Sequence, residues 1–230
     1  KGELLVETAN GPHVVFEFIE SHYFKANLEG FSAVARAIAE MHEAFNNLSV
    51  DFTQKIADLN ALNQAVYFNK IKTYTIVDFE NIEAIIREKK RQSEGEKIFL
   101  DEIHFIKNLI KEVKGELVNL GQLPQQIIHS DLHPHNILMV QDEVAAIIDF
   151  DAIRISQQAR DAAFAIYRFG RQFFVSTPQT DNEISQQAQQ LKDIFLENYL
   201  KINSLSEEEL NLMPSLLKNE FLVKLLFVLR

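Results

Sequence analysis

Between Ile127 and Asp151 the chain reads I-I-H-S-D-L-H-P-H-N-I-L-M-V-Q-D-E-V-A-A-I-I-D-F-D. Four side chains in this stretch have the types and spacing for metal and proton chemistry: His129, Asp131, Asn136 and Asp149. Two apolar runs, Ile137–Val140 and Val144–Ile148, flank the polar triplet Gln141-Asp142-Glu143, which predicts a β-hairpin with a three-residue loop. Neither run alternates apolar with polar residues, so both faces are expected to be buried. Folding the hairpin about Asp142 sets Val140 opposite Val144, Asn136 opposite Ile148 and His135 opposite Asp149. Asn136 and Asp149 then meet at the open end, which the loop carrying Asp131 feeds. Two carboxylates and an amide on one spot suit a hard cation such as Mg²⁺.

The alternating His129, Asp131, His133 and His135 invite a second reading. Asp131-Leu132-His133 also has the form that opens the metal site of two-metal phosphoesterases. Such a site needs further Gly-Asp and Gly-Asn-His segments downstream. Only Gly170 follows residue 121 among the glycines, and no histidine follows His135, so the remaining ligands are lacking.

Phosphoryl transfer uses all four residues. His129-x-Asp131-x-x-x-x-Asn136, followed after a hairpin by Asp149-Phe150-Asp151, has the layout of a kinase catalytic loop and metal-binding segment. One Asp must meet a substrate hydroxyl, an Asn five residues on must turn back to a metal, and a second Asp must hold that metal on nucleotide phosphates. The string His129-Ser130-Asp131-Leu132-His133-Pro134-His135-Asn136-Ile137-Leu138, with Ile148-Asp149-Phe150-Asp151, resembles the aminoglycoside phosphotransferase and choline kinase-like superfamily. That group includes homoserine kinases and fructosamine kinases and shares the protein-kinase fold.

The resemblance implies an ATP- and Mg²⁺-dependent kinase acting on a hydroxyl of a small molecule. Asp131 would be the catalytic base, Asn136 and Asp149 the Mg²⁺ ligands, and Asp151 a support for a second metal or its waters. His129 would hold the loop, and Asp161, in Arg160-Asp161-Ala162-Ala163, would bond to the loop from a helix start. Val14–Glu20 is similar to the strand and hinge between kinase lobes. Carried over, that pairs the Glu17 carbonyl and the Ile19 amide with adenine, over a floor of Leu138 and Ile148. The chain departs from protein kinases in lacking Arg after His129 and Gly after Phe150, and from many family members in Ser130 and His135, where glycine is common. A Gly-rich phosphate loop and a lysine on an early strand are not found; in the family they lie upstream of where this sequence begins. Two other readings remain open: a non-catalytic binding or scaffolding module on the same fold, and a Ser/Thr protein kinase-like member.

The elements that must position these residues are mostly helical. Glu3–Thr8 and His13–Phe18 read as strands joined across Asn10-Gly11. Leu28–Phe45 carries Phe31, Val34, Ala35, Ile38 and Met41 at helical spacing, with Asn27 as N-cap. Further helices are expected over Asp51–Tyr67, from an Asp78 cap onward, over Glu96–Leu120, over Arg160–Phe174, over Asp181–Lys201, from a Ser206/Glu209 capping box, and over Ser215–Arg230 with Pro214 in its first turn. His42 is expected to be packed or at the surface. The expected fold class is α+β: a protein-kinase-like fold, with residues 1–20 as the end of an N-terminal β lobe and hinge. Residues 21–230 form a mostly helical C-terminal lobe around the buried hairpin.

Composition bounds the rest. The 230 residues carry a net charge of -10 and no cysteine. Acidity argues against nucleic acid or an anionic membrane as partner, and agrees with a cationic acceptor such as an amino sugar, choline or an amino alcohol. No run of 18 apolar residues suggests a membrane span, and a cytoplasmic setting is the default expectation. The 18 phenylalanines, without any tryptophan, read as core.

Overall fold

The structure is a computed structural model, and it describes residues 5–8, 11–14, 17–63, 74–174 and 180–229. Strands β1 (Leu5–Thr8) and β2 (Gly11–Val14) pair antiparallel, with Thr8 opposite Gly11 and Glu7 opposite Pro12. Pro12 therefore lies near the start of its strand. Past residues 17–21 comes β3 (His22–Tyr23), then helix α1 (Leu28–Asn46). Asn27 caps α1 as expected, accepting the Gly30 amide at 2.7 Å. Gly30 sits close to its neighbours: a Cβ there would lie 3.3 Å from the Asn27 side chain, tight enough to displace the cap slightly, and in ordinary contact with Met139 at 3.6 Å.

The hairpin consists of β5 (Ile137–Val140) and β6 (Glu143–Ile147), and with β3 it forms a three-stranded sheet in the order β3-β5-β6. Ile137 faces Ile147 and Leu138 faces Ala146, as the sequence predicts. At the tip the prediction fails: Val140 faces Glu143, so the loop has two residues, and a register shift between Leu138 and Met139 absorbs the difference. Gln141 takes up the tight turn with φ 54°. The expectation of two buried faces is also corrected. Ile137 and Met139 are buried, while Leu138 and the β6 residues Val144, Ala146 and Ile147 are only partly covered. The buried face packs on α1, whose first turn also holds the hairpin tip through Asn27 Nδ2 donating to Asp142 at 3.0 Å.

Three strands escaped the sequence reading: β3, and a pair that brackets the loop. β4 (Gln126–Ile128) and β7 (Arg154–Ser156) pair antiparallel, bracketing the loop and hairpin between them, Ile127 opposite Ile155. Helix α2 (Val50–Asn63) docks on β7 through one side chain. Asn60 Nδ2 donates to the Ile153 carbonyl at 3.0 Å, and its Oδ1 accepts the Ile155 amide at 2.9 Å. The expected extension of this helix to Tyr67 lies outside the described residues, as does the predicted break at Thr177-Pro178.

The remaining helices are α3 (Ile76–Glu88), α4 (Glu94–Asp101), α5 (Ile103–Glu116), α6 (Gln158–Gly170), α7 (Asp181–Tyr199) and α8 (Glu207–Leu229). Three predicted boundaries change. Thr75 caps α3, with Asp78 as the third residue of a capping box. The single helix expected over Glu96–Leu120 is two, broken at Glu102 (φ -94°, ψ 3°) with neither glycine nor proline there. The two C-terminal helices expected around Pro214 are one, α8, with Pro214 inside it. Pro214 is exposed, so the carbonyl four residues back, which loses its partner, can turn to water. The helix continues because it is anchored in two cores: Met213 and Leu216 join the cluster built on α1, α6 and α7, and Leu222 and Leu226 join the one built on α3, α4 and α5.

Candidate active site

The site is assembled by one buried carboxylate. Asp161, in the first turn of α6, is 1% exposed. Its Oδ2 accepts the His129 amide and its Oδ1 the Ser130 amide, each at 2.8 Å. Successive amides in extended chain point to opposite sides; here both face one carboxylate, and Ser130 itself lies in the left-handed region at φ 71°. His42 on α1, fully buried, donates from Nε2 to the same Asp161 Oδ2 at 3.2 Å, and its Nδ1 shares a 2.7 Å hydrogen bond with the buried Tyr199 hydroxyl. Burial and the charges of Asp161 and Glu209 raise the Tyr199 phenol well above its ordinary pKa, which keeps it neutral.

His129 links the loop to the far strand. Its Nδ1 accepts the Asp131 amide at 3.3 Å, and its Nε2 donates to the Ile148 carbonyl at 2.9 Å, an arrangement that fixes one tautomer. Asn136, 4% exposed, closes the loop from the other side. Its Nδ2 donates to the Asp131 carbonyl at 2.9 Å, and its own carbonyl accepts the Ile148 amide at 3.0 Å. With Nδ2 committed, Oδ1 is the side-chain atom available to a cation. Asp149 follows Ile148 directly and is exposed, with its backbone left-handed at φ 66°, ψ 63°. Asp151 follows in the exposed 3₁₀ turn Phe150–Ala152. Ser130 and Asp149, one on each side of the loop, thus both hold backbone conformations that side chains rarely adopt.

Asp131 is half-exposed and lies 3.5 Å from Nε2 of His133. Burial holds the His133 ring below its ordinary pKa, and the Asp131 charge partly offsets this. No three His, Cys, Asp or Glu side chains converge as a metal cluster among the described residues. A magnesium ion carried on nucleotide phosphates asks for only one or two protein oxygens, which Asn136 and Asp149 fit.

One cavity opens on this loop and another beside β5. The first, of about 290 Å³, is lined by Asp131 and Ser130 from the loop, Arg154 and Arg160 beside it, and Glu220 and Lys224 of α8. The other, of about 710 Å³, brings together Glu17, Phe18, Ile19, Tyr23 and Leu138. Three of the four residues read as an adenine site are therefore gathered around one groove; Ile148 is not among its lining residues. Sequence reasoning missed His42, Tyr199, Arg154, Glu220 and Lys224. Only the shared helical face of His42 with Ile38 and Ala39 hinted that His42 is buried.

Residues 14–193 match the sequence profile described as the Phosphotransferase enzyme family. The chain belongs to that family. Its fold agrees. This phosphotransferase family chain superposes on an amicoumacin kinase solved with AMP-PNP, Ca²⁺ and Ami (TM-score 0.57, 16% identity, 97% of this chain and 60% of that one). It is similar to an aminoglycoside phosphotransferase from Alicyclobacillus acidocaldarius (TM-score 0.54, 16% identity, 99% of this chain and 73% of that one). It also resembles an ethanolamine kinase from Plasmodium vivax (TM-score 0.51, 16% identity, 98% of this chain and 59% of that one). The chain thus spans less than two thirds of the length of two of these three structures. No curated protein matches the sequence. The α+β, protein-kinase-like fold and the aminoglycoside phosphotransferase and choline kinase-like superfamily expected from the loop motif are both shown.

Proposed function

We propose that the protein is an ATP-dependent phosphotransferase that moves the γ-phosphoryl group to a hydroxyl of a small molecule. One observation carries this reading: Asp161, His129 and Asn136 tie the backbone at Asp131 to that at Ile148, the residue before Asp149, in one hydrogen-bonded cluster, with Asp131 lining a cavity. Asp131 orients the acceptor hydroxyl and takes its proton as the new O–P bond forms and the bond from the γ-phosphorus to the bridging oxygen breaks, releasing ADP. Asn136 Oδ1 and Asp149 would hold Mg²⁺, with Asp151 serving a second ion or its waters; the metal supplies charge neutralisation on the phosphates. Such transfer gains its rate mainly from positioning and electrostatics, and the left-handed Ser130 and Asp149 are part of that positioning.

The groove at Glu17, Ile19 and Leu138 takes the adenine, with the Glu17 carbonyl and the Ile19 amide as its pairing groups. Ile148 serves through its backbone, which joins His129 to Asn136. In this reading residues 1–20 are the end of an N-terminal lobe and hinge, and residues 21–230 are the catalytic lobe. Related structures named for amicoumacin, aminoglycoside and ethanolamine support a small acceptor.

The test is Asp131→Ala in the full-length protein, assayed for ATP-dependent phosphorylation across a panel of hydroxyl compounds. Transfer is lost while the melting temperature holds, because Asp131 is half-exposed. Unchanged turnover removes Asp131 from the mechanism. Nucleotide binding without transfer in the parent protein would favour a non-catalytic module, and transfer to Ser or Thr of a protein would favour a protein kinase.

A further inference from the structure

The reading above gives His133 no task, yet its ring faces the Asp131 carboxylate, with Nε2 3.5 Å from Oδ2. The backbone of Asp131 is pinned at both ends. Its amide donates to His129 Nδ1, and its carbonyl accepts from Asn136 Nδ2. Those bonds fix the main chain and leave the carboxylate torsion open, and for aspartate that torsion is broad. A base that must point one oxygen at an acceptor hydroxyl needs a group that holds the other.

The His133 ring is itself held. Its residue stands in extended backbone (φ -135°, ψ 166°) ahead of the 3₁₀ turn Pro134–Asn136, and its carbonyl accepts the Asn136 amide at 2.9 Å. Its Nδ1 accepts the His135 amide at 3.2 Å. An accepting Nδ1 puts the hydrogen of the neutral ring on Nε2, the atom that faces Asp131. Burial is the largest influence against a second proton; the Asp131 charge acts for one, and Arg168, His135 and Lys224 act against it. A neutral donor orients a carboxylate without cancelling the charge that a base needs. The side chain is 19% exposed, against 42% for Asp131. The His135 ring stands edge-on to it with centroids 5.6 Å apart, and Tyr23 stands edge-on to His135 at 5.0 Å. At 3.5 Å the Nε2–Oδ2 contact is longer than a formed hydrogen bond, as catalytic contacts commonly are before substrate binds.

We propose that His133 is a positioning residue: its Nε2–H holds Oδ2 of Asp131, so that Oδ1 meets the acceptor hydroxyl. The proposal rests on the phosphotransferase reading for the role of Asp131; the ring contact rests on the geometry of the loop. The plain alternative is a ring that serves only as acceptor for the His135 amide. The two differ in which ring nitrogen matters, and two substitutions separate them. In His133→Asn the amide oxygen takes the place of Nδ1, since asparagine readily bonds the backbone two residues on, and nothing stands where Nε2 was. In His133→Gln the longer side chain brings an amide nitrogen to the Nε2 position and leaves no acceptor at Nδ1.

Both variants are compared with the parent as full-length protein, with choline, ethanolamine and glucosamine as acceptors for ATP-dependent transfer. His133→Asn is expected to lower kcat about 10- to 100-fold, the scale of a misplaced reacting group, with KM for ATP and the melting temperature unchanged. His133→Gln keeps most of kcat and melts lower. Unchanged kcat in His133→Asn, the opposite order of the two variants, or equal losses in both overturns the proposal. A second readout needs no turnover. Nitrogen NMR of the ring near neutral pH, assigned by the signal missing from His133→Asn, should show the hydrogen on Nε2 and a displaced Nε2 resonance in Asp131→Ala. A hydrogen on Nδ1, or a ring signal indifferent to Asp131→Ala, likewise overturns it. Absence of transfer by the parent counts against the kinase reading, and the ring contact is then decided by the spectrum.

Discussion

Replacing Asp161 with Asn separates charge and hydrogen bonding from shape, since the two side chains are nearly isosteric. In the parent the carboxylate accepts the His129 and Ser130 amides at 2.8 Å each and the His42 Nε2 proton at 3.2 Å. An amide offers one acceptor oxygen, so one backbone N–H must face an NH₂ group. Loss of a hydrogen bond to a charged acceptor costs about 1.5–3 kcal/mol, and the bond that remains is weakened by loss of the charge. The sum is about 3 kcal/mol, within the roughly 5–15 kcal/mol that holds a domain folded. Asp161→Asn should therefore fold and melt about 6–12 °C lower, at about 2–4 °C per kcal/mol for a chain of this size. Because the bonds hold the two residues before Asp131, a shift of the loop by ~1 Å is enough to lower turnover about 100-fold. The assays are a melting curve and steady-state kinetics, with a double-mutant cycle against His42→Ala expected to show coupling of about 1 kcal/mol or more. An Asp161→Asn variant melting within about 1 °C of the parent, with unchanged kcat, would refute the claim that this carboxylate positions the loop.

Asp149→Gly tests the strained backbone: glycine adopts φ 66° without a steric penalty, so stability should hold or rise by up to about 1 kcal/mol while transfer is lost. A variant that keeps full transfer would show that Asp149 holds no essential metal. His133 gives a pH prediction. Burial favours its neutral ring, so the folded state binds the proton less readily than the unfolded chain. Stability is full above the unfolded value, about 6.5, and declines as pH falls through it toward the folded value. Protonation at Nδ1 would also remove the acceptor of the His135 amide. His133→Gln should reduce the drop in melting temperature between pH 7.5 and pH 5.5, and an identical drop in both proteins would sink the assignment.

The sequence by itself determined what local patterns can carry. Asn27 and the apolar stripe after it specify α1, the Ser206/Glu209 box specifies the start of α8, and two apolar runs specify a hairpin that sets Asn136 beside Ile148. The spacing from His129 to Asp149 was enough to name a phosphotransferase loop, because those residues are joined by one turn and one hairpin. The hairpin tip was not legible: a two-residue turn and a register shift reach the same pairing at Ile137 as a three-residue loop. The α4–α5 break and the continuity of α8 through Pro214 also depend on packing: α8 joins two cores that no local window contains. Strands β4 and β7, three residues each, exist only because they pair with each other across the loop and hairpin.

The site divides in the same way. Its proposed reacting groups are close in sequence, while their supports are not. His42, Asp161 and Tyr199 lie on three helices and meet only when α1, α6 and α7 pack together. Arg154 and Lys224, 70 positions apart by their numbers, line one cavity only because α8 returns beside β7. Local periodicity and spacing encode which groups can react. The tertiary fold decides what surrounds them, since a pocket's lining comes from side chains that share no segment of the chain.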